Sequence, residues 1–396
     1  MMDKIQEEMI ERLMQEEISA QHIAGANVLV SVKGNVIYQN SFGMADREKN
    51  MPMRRDTIFK MFSMSKMATA AAAMLLFERG RIDLYDPVEN YLEGFKNPIV
   101  YDENGGHPAQ HKMLIRDLLN MTGGLSYPEE TNGATRATDA LFKEIVKEQE
   151  NGKTTPTVEM ANRIGQLPLG FEPGTAWKYG TSADVMGAIV EVVSGMRFGE
   201  FLRREIFEPV GMTDTGFYVP AEKMNRLAMT YRHIDGEGTA PDRLETFTDN
   251  HLGMEGYEKA PSFESGGAGL TSTIEDYRKF GQMLLNEGTT IEGRRILGRE
   301  TVRFLRSNQL TAQLIDSMGW ESLRGYGYGN FNRVLLDPAA AGSNAPAGVY
   351  GWDGWLGTYI TLDPTNDFLF EYFIQLCDAG TTPVTRKLRA IAYGML

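Results

Sequence analysis

The stretch Phe62-Ser63-Met64-Ser65-Lys66 decides the interpretation of this chain, and it stands at the head of an alanine-rich run over residues 67–79. It places Ser63 three residues before Lys66, and residues at this separation lie on the same face of a helix. A serine hydroxyl is a weak nucleophile until a base takes its proton. A lysine whose pKa is lowered by desolvation can be that base. The stretch therefore predicts a nucleophile and its activator within one helical turn, with a capping serine and a solvated lysine as the alternative.

The composition is that of a globular protein without affinity for polyanions. The chain has 396 residues, of which 42% are hydrophobic and 23% are charged, and its net charge is −13. This length suits one large domain or two closely joined ones. The sequence has no block rich in Lys and Arg, so we expect neither nucleic acid nor a membrane surface as a partner.

The N-terminal segment and the cysteine content indicate a cytoplasmic protein. The first residues are charged and lack an apolar core, and no apolar run reaches the roughly 18 residues that a membrane span needs. The single cysteine, Cys377, cannot form an internal disulfide and is predicted to be a small buried hydrophobe. We therefore expect cytoplasmic localisation, while the oligomeric state stays open.

The hydropathy pattern predicts hairpins at both ends of the chain. Val28, Val30 and Val32 alternate before a turn at residues 33–35, and two strand-like runs, 359–362 and 368–375, flank a second turn. Amphipathic patterns predict a first helix near residues 5–18 and a closing helix over 383–393. Helical patterns also fill much of the middle of the chain, over residues 66–79, 115–121, 157–164, 182–194 and 198–206.

These elements predict an α+β fold with an active site at the seam of two regions. An antiparallel sheet, flanked by the N- and C-terminal helices, is expected from residues 1–58 and 260–396. A mainly helical region is expected over residues 59–259. Sites at the seam of two such regions are common.

Four further segments carry glycine or aromatic patterns that suit an acyl-transfer site. Tyr179 ends the run Pro173-Gly174-Thr175-Ala176-Trp177-Lys178-Tyr179, and a phenol near an ammonium group can give up its proton. The run Gly351-Trp352-Asp353-Gly354-Trp355-Leu356-Gly357-Thr358 leads into a predicted strand, where backbone N–H groups can face a developing oxyanion. The glycine-containing runs 117–125 and 265–273 are typical of structural turns.

The order of these segments resembles that of the serine β-lactamase and penicillin-binding-protein superfamily, in particular its class C-like branch with family VIII carboxylesterases and acyltransferases. Ser63-x-x-Lys66 matches the first motif of that family. Tyr179-Gly180-Thr181 falls where the family has Tyr-x-Asn or Tyr-Ser-x, and Trp352-Asp353-Gly354 falls where it has Lys-Thr-Gly or Trp-Gly-Gly. The two glycine turns match connecting loops, so the resemblance covers nearly the whole chain.

The resemblance implies a role for each matching residue. Ser63 would be the acylated nucleophile, Lys66 would take or share its proton, and Tyr179 would relay protons to the leaving group and activate the deacylating water. The backbone N–H groups of Ser63 and Trp355 would form the oxyanion hole. The division of the base role between Lys66 and Tyr179 stays open. We expect no metal and no cofactor.

Two departures from the family pattern bear on the substrate. Trp352 stands where β-lactamases have a cation for the substrate carboxylate, and the acidic Asp353 follows it, so we expect only weak β-lactam activity. The large residues nearby suggest an apolar acyl pocket for small or medium esters. The expected substrate-binding residues are Trp352, Asp353, Gly354, Trp355, Thr181 and Met121.

Other functions stay open beside the carboxylesterase. The fold could also serve a D-amino-acid amidase or peptidase, an acyltransferase, or a sensor that is acylated without turnover. Retention of Ser63, Lys66 and Tyr179 together argues against the sensor. A Ser-His-Asp hydrolase is disfavoured because the sequence has no Gly-x-Ser-x-Gly motif, and the five scattered histidines show no metal-binding pair. The expected partner is a small-molecule ester or amide.

Overall fold

The structure is a computed structural model that describes residues 2–102, 104–234 and 243–396. Its largest element is an antiparallel sheet of eight strands in the order β10-β11-β12-β13-β14-β1-β2-β3. In chain order the strands are β1 (Gly25–Val32), β2 (Asn35–Asp46), β3 (Met51–Pro52), β4 (Phe59–Lys60), β5 (Ile99–Val100), β6 (His107–Pro108), β7 (Tyr231–Ile234), β8 (Arg243–Thr246), β9 (Thr271–Ser272), β10 (Tyr326–Gly329), β11 (Asn332–Leu335), β12 (Tyr350–Asp353), β13 (Tyr359–Asp363) and β14 (Phe368–Phe373).

The two ends of the chain meet in the centre of this sheet. Strand β1 pairs with β2 on one side and with β14 on the other, so that Val28 lies opposite Tyr372. Both predicted hairpins, β1–β2 and β13–β14, are confirmed. The predicted α+β class with an antiparallel sheet built from both ends is confirmed as well.

Successive side chains of a strand point to opposite faces of the sheet, so each face carries apolar residues that helices cover. On one face, Val28 packs with Ile10 of the first helix and Leu388 of the last one. On the other face, Leu29 belongs to a larger cluster of buried side chains that includes Met67 and Ile189. The helices are α1 (Met2–Ser19), α2 (Ser65–Glu78), α3 (Ile115–Leu119), α4 (Gly133–Glu150), α5 (Thr157–Gly165), α6 (Ser182–Ser194), α7 (Phe198–Leu202), α8 (Glu208–Val210), α9 (Ile274–Leu285), α10 (Arg299–Leu305), α11 (Ala312–Asp316) and α12 (Pro383–Tyr393).

Two long helices, α4 and α9, were not among the predicted elements. Helix α4 begins after Asn132, whose side-chain oxygen accepts a hydrogen bond from the Thr135 N–H at 3.0 Å. Its buried face is carried by Leu141, Phe142 and Ile145. Helix α7 also ends earlier than predicted, because one π-helical turn, Arg203–Phe207, follows it.

Candidate active site

The predicted nucleophile lies in a tight 3-10 turn, Phe62–Met64, that leads directly into helix α2. Phe62 has φ +45°, a left-handed backbone conformation that bulky residues rarely adopt. Lys66 lies in the first turn of α2, and its Nζ is 3.2 Å from Ser63 Oγ. The structure therefore brings the two residues of the first motif into hydrogen-bonding contact.

The Lys66 side chain is fully buried and bonded on three sides. Besides Ser63 Oγ, its Nζ contacts the Tyr127 hydroxyl at 2.9 Å and the Gly267 carbonyl oxygen at 2.8 Å. Burial lowers the pKa of Lys66 to about 7, and the charges of Asp184 and Asp353 oppose this shift only in part. A carbonyl can only accept, so one Nζ–H points at Gly267, and a neutral amine keeps a lone pair for the Ser63 proton.

A glycine loop over residues 265–269 provides the carbonyl oxygen of Gly267 that accepts from Lys66. Helix α6 holds this loop in place. Asp184 in α6 accepts hydrogen bonds from Ser265 Oγ at 2.5 Å and from the Gly267 N–H at 3.0 Å. A Cβ on Gly267 would lie 2.8 Å from the Tyr127 hydroxyl and 2.9 Å from Asp184 Oδ2, so glycine is required here. The run that the sequence presented as a structural turn is thus part of the site.

The Tyr179 phenol lies beside Lys66 within a group of aromatic rings. The Lys66 Nζ is 4.6 Å from the centre of the Tyr179 ring, and the Trp352 indole N–H donates to the Tyr179 hydroxyl at 2.9 Å. Burial raises the pKa of Tyr179 well above its usual range, against the lowering effect of hydrogen bonds with Ser63 and Trp352. Desolvation thus favours the protonated phenol in the resting site, and the predicted acid–base role of Tyr179 stays a prediction.

The glycine turn over residues 117–125 fixes the segment that carries Tyr179. The Met121 carbonyl accepts the Lys178 N–H at 2.9 Å. A Cβ on Gly180 would lie 2.4 Å from the Leu125 carbonyl oxygen, so only glycine allows this close approach. The side chains of Met121 and Thr181, both predicted to bind substrate, are fully buried and present no surface to a substrate.

Strand β12 ends at the site and carries the Trp352-Asp353-Gly354 motif. The Trp352 side chain is buried, and its hydrogen bond to the Tyr179 hydroxyl fixes the position of the phenol. The Asp353 carboxylate forms an ion pair with the buried guanidinium of Arg333 and accepts a hydrogen bond from the Thr381 hydroxyl. The repelling charge expected at Asp353 is therefore balanced by Arg333, which the sequence analysis did not identify.

Gly354 lets the end of β12 approach the nucleophile turn. A Cβ at this position would lie 2.4 Å from the Met61 carbonyl oxygen, two residues before Ser63. The next residue, Trp355, packs its ring 5.1 Å from that of Phe62. Within the described residues the Trp355 N–H has no acceptor, so it is free to bind a developing oxyanion.

Tyr127, Asp184, Trp320 and Arg333 are site residues that the sequence did not single out. Tyr127 belongs to no sequence motif. Trp320 lies in a loop far along the chain, and its ring centre is 5.1 Å from that of Tyr179. Such long-range contacts leave no local pattern in a sequence. The sequence offered one indication for Tyr127, namely its position two residues after the 117–125 turn.

The described residues were also searched for metal-binding groups and for membrane-spanning helices. No group of three or more His, Cys, Asp or Glu side chains in the described ranges is arranged to hold a metal ion. Among the helices of the same ranges, none is both long and apolar enough to cross a bilayer.

A family model and two relatives each match most of this chain. The family model described as Beta-lactamase matches residues 7–389. Protein Rv1367c of Mycobacterium tuberculosis is 33% identical over 90% of this chain and 86% of its own length. Esterase EstB of Burkholderia gladioli is 30% identical over 88% of this chain and 85% of its own length.

Solved structures share the fold at lower sequence identity. EstCE1, described as a hydrolase with promiscuous acyltransferase activity, matches with a TM-score of 0.80 at 24% identity over 99% of both chains. Unliganded simvastatin synthase LovD from Aspergillus terreus, a selenomethionyl derivative, matches with a TM-score of 0.79 at 22% identity over 98% of this chain and 97% of its own.

Proposed function

Because this chain belongs to the β-lactamase family, we propose that it is a serine hydrolase that forms an acyl-enzyme on Ser63 and acts as a carboxylesterase on small or medium esters. Family and relatives make it a hydrolase or acyltransferase of the β-lactamase fold. One observation carries the finer assignment: Ser63 Oγ lies 3.2 Å from the Nζ of a fully buried lysine.

Acylation begins with proton transfer from Ser63 to Lys66. With a pKa of about 7, a large share of Lys66 is neutral at neutral pH and can accept that proton. Ser63 Oγ then attacks the ester carbonyl carbon, and the N–H groups of Ser63 and Trp355 bind the resulting oxyanion. The tetrahedral intermediate collapses when the C–O bond to the alcohol breaks.

Tyr179 supplies the proton that the departing alkoxide needs. Its pKa is raised by burial, so the phenol is protonated in the resting site and can donate. The Lys66 ammonium then returns the Ser63 proton to Tyr179. In the second half-reaction a water attacks the acyl-enzyme, and the same groups carry its proton back to Ser63.

Acyl transfer to an alcohol is the second candidate function. It uses the same acyl-enzyme, with an alcohol in place of the deacylating water. Acyltransferase calJ of Penicillium decumbens is 26% identical over 65% of this chain and 59% of its own length. An amidase for D-residues has less support, because Arg333 already balances the Asp353 charge that would attract a substrate amine.

Steady-state hydrolysis of p-nitrophenyl butyrate and of nitrocefin tests the proposal. Fast ester turnover with little lactam turnover is expected for the wild type, and Ser63→Ala should abolish both. Ser65→Ala is the matched control, because it removes a neighbouring hydroxyl whose partner is the Leu270 N–H. Ester turnover that survives Ser63→Ala would refute the proposal.

A further inference from the structure

A cavity of about 770 Å³ lies between helix α12, strands β10 and β11 and the segment over residues 319–324. Its wall carries four arginines, which are Arg324, Arg333, Arg386 and Arg389. Glu321 is the one carboxylate among the described lining residues. The chain as a whole has a net charge of −13, so the charge of this cavity is opposite in sign to that of the molecule.

Arg389 is a buried cation without a carboxylate partner. The residue is 5% exposed, and its guanidinium donates to the hydroxyls of Tyr326 at 2.9 Å, Tyr359 at 3.1 Å and Ser343 at 3.2 Å. Within the described ranges no Asp or Glu forms an ion pair with it. Buried charges in proteins are normally paired, so Arg389 favours an anion in the cavity that it lines.

The other three arginines differ in how their charges are balanced. Arg333 is also buried, but the Asp353 carboxylate pairs with it. Arg324 and Arg386 are exposed, and neither forms an ion pair with a carboxylate in the part of the chain that the structure describes. The cavity therefore keeps an excess of positive charge after its ion pairs are taken into account.

The buried Tyr359 phenol contacts two of these arginines and responds to their charge. Its ring centre is 4.9 Å from the guanidinium carbon of Arg333, and its hydroxyl accepts a hydrogen bond from Arg389. Burial raises the pKa of a phenol, but the charges of Arg389 and Arg333 outweigh this effect, so the pKa of Tyr359 is lowered. The electrostatic potential behind the cavity wall is thus positive as well.

The chemistry of the wall favours a phosphate group as the anion. A guanidinium presents its donors in a planar fork that binds two oxygens of one phosphate or carboxylate. Arg324, Arg386 and Arg389 supply three such forks, against the one carboxylate of Glu321. The surplus of two positive charges matches a phosphate monoester, which carries about −1.5 to −2 charges at pH 7, better than it matches a monocarboxylate.

Trp320 gives the same cavity an apolar wall. The residue is 45% exposed and lines the cavity. Its ring packs edge-on against that of Trp177, with centres 5.4 Å apart. An exposed indole that is held in this way offers a surface on which an aromatic group can stack. The cavity is larger than a phosphate group alone requires, so there is room for an organic part of the ligand beside Trp320.

We propose that this cavity binds a small aromatic phosphate monoester. Arg324, Arg386 and Arg389 hold the phosphate group, and Trp320 packs against the aromatic part. The residues of the acyl-enzyme chemistry do not line the cavity. The site is therefore a separate binding site, and its test does not depend on ester turnover.

Isothermal titration calorimetry of the whole protein at pH 8 with phenyl phosphate and with phenyl sulfate tests the charge of the ligand. The two molecules have nearly the same shape, but at this pH the phosphate is a dianion and the sulfate a monoanion. We expect phenyl phosphate to bind about tenfold more tightly, because charge-assisted hydrogen bonds strengthen with the added charge. Equal affinities, or no saturable binding of phenyl phosphate at millimolar concentrations, would overturn the proposal.

Two variants test the position of the phosphate group. Arg324→Gln and Arg386→Gln should each weaken the binding of phenyl phosphate about fivefold, since each removes one charged fork. Arg294→Gln is the matched control, because Arg294 is an exposed arginine that does not line the cavity, and it should keep the wild-type affinity. Unchanged affinity in the double variant at Arg324 and Arg386 would overturn the site.

Inorganic phosphate tests the organic part of the ligand. It should bind the wild type less tightly than phenyl phosphate does. Trp320→Ala should remove that difference and leave the affinity for inorganic phosphate unaltered. Equal affinity of the wild type for the two phosphates would overturn the stacking on Trp320 and, with it, the aromatic class of ligand.

Discussion

At the scale of single residues, burial shifts the pKa values of two neighbouring groups in opposite directions. The fully buried Lys66 has its pKa lowered to about 7, so it can be a base at neutral pH. Burial raises the pKa of Tyr179, so it can be an acid. A lysine base and a tyrosine acid at one site follow from desolvation, because removal of water disfavours the charged form of each.

The pH dependence of the reaction reports the Lys66 ionisation. Only the neutral amine can accept the Ser63 proton, and the fraction of neutral amine falls as the pH drops below the pKa. We therefore expect kcat/KM for p-nitrophenyl butyrate to rise with pH and to level off above about 7. An activity that stays constant from pH 5 to 8 in a stopped-flow assay, with no ionisation near 7, would exclude Lys66 as the base.

Trp352→Phe tests the hydrogen bond that holds Tyr179. The variant keeps a ring in the buried position but removes the indole N–H that donates to the phenol at 2.9 Å. We expect kcat for p-nitrophenyl butyrate to fall about fivefold, since a neutral hydrogen bond contributes about 1 kcal/mol. Trp320→Phe is the matched control, because Trp320 contacts the Tyr179 ring without such a bond. Equal losses in the two variants would contradict this role of Trp352.

At the scale of elements, the site depends on how closely strand β12 approaches the nucleophile turn. The predicted contact of Gly354 with substrate stays a prediction; what the structure shows is that Gly354 packs against the Met61 carbonyl. The Thr358 hydroxyl donates to the same carbonyl at 3.0 Å and ties β13 to the turn. These contacts hold the residues on both sides of Trp355 against the nucleophile turn, two residues before Ser63.

Gly354→Ala should separate the strand end from the nucleophile turn. Its Cβ would lie 2.3 Å from Thr358 Oγ1 and 2.4 Å from the Met61 carbonyl oxygen, so the backbone has to shift. We expect kcat to fall about 100-fold, as when an oxyanion-hole donor is lost, while circular dichroism stays that of the wild type. Gly216→Ala is the control, because its Cβ would meet no atom closer than 3.8 Å. An unchanged kcat in Gly354→Ala would remove this glycine from the account.

At the scale of the whole molecule, the terminal helices close one face of a sheet whose other face carries the site. Leu388 of helix α12 is fully buried with Ile10 of α1 and Val28 of β1. These residues belong to a different cluster of buried side chains from Met61 and Met64, which lie on either side of Ser63 in the chain. The stability of the fold and the chemistry of the site are therefore separable.

Leu388→Ala should destabilise the protein without affecting catalysis. Loss of a buried leucine side chain costs about 2–5 kcal/mol, so the denaturant midpoint of unfolding should fall. At low temperature kcat for p-nitrophenyl butyrate should equal that of the wild type. Lys387→Ala changes an exposed neighbour on the same helix and should leave the midpoint unaltered. A loss of kcat in folded Leu388→Ala would mean that this face is coupled to the site.

The sequence predicted those features of the fold and site that leave a local pattern. The alternation at Val28 predicted the central hairpin, and the spacing of Ser63 and Lys66 predicted their contact. It could not predict that Tyr127 bonds Lys66 or that Arg333 pairs with Asp353, because these contacts join distant segments. The division of the chain into residues 1–58 with 260–396 and residues 59–259 stays a prediction.

Peptide mapping by mass spectrometry shows whether substrate acylates Ser63. The protein would be mixed with p-nitrophenyl butyrate, quenched in acid within the first turnovers and digested. We expect one butyryl group on the peptide that contains Ser63, and no adduct in Ser63→Ala. A butyryl group on another residue, or steady turnover by Ser63→Ala, would contradict it.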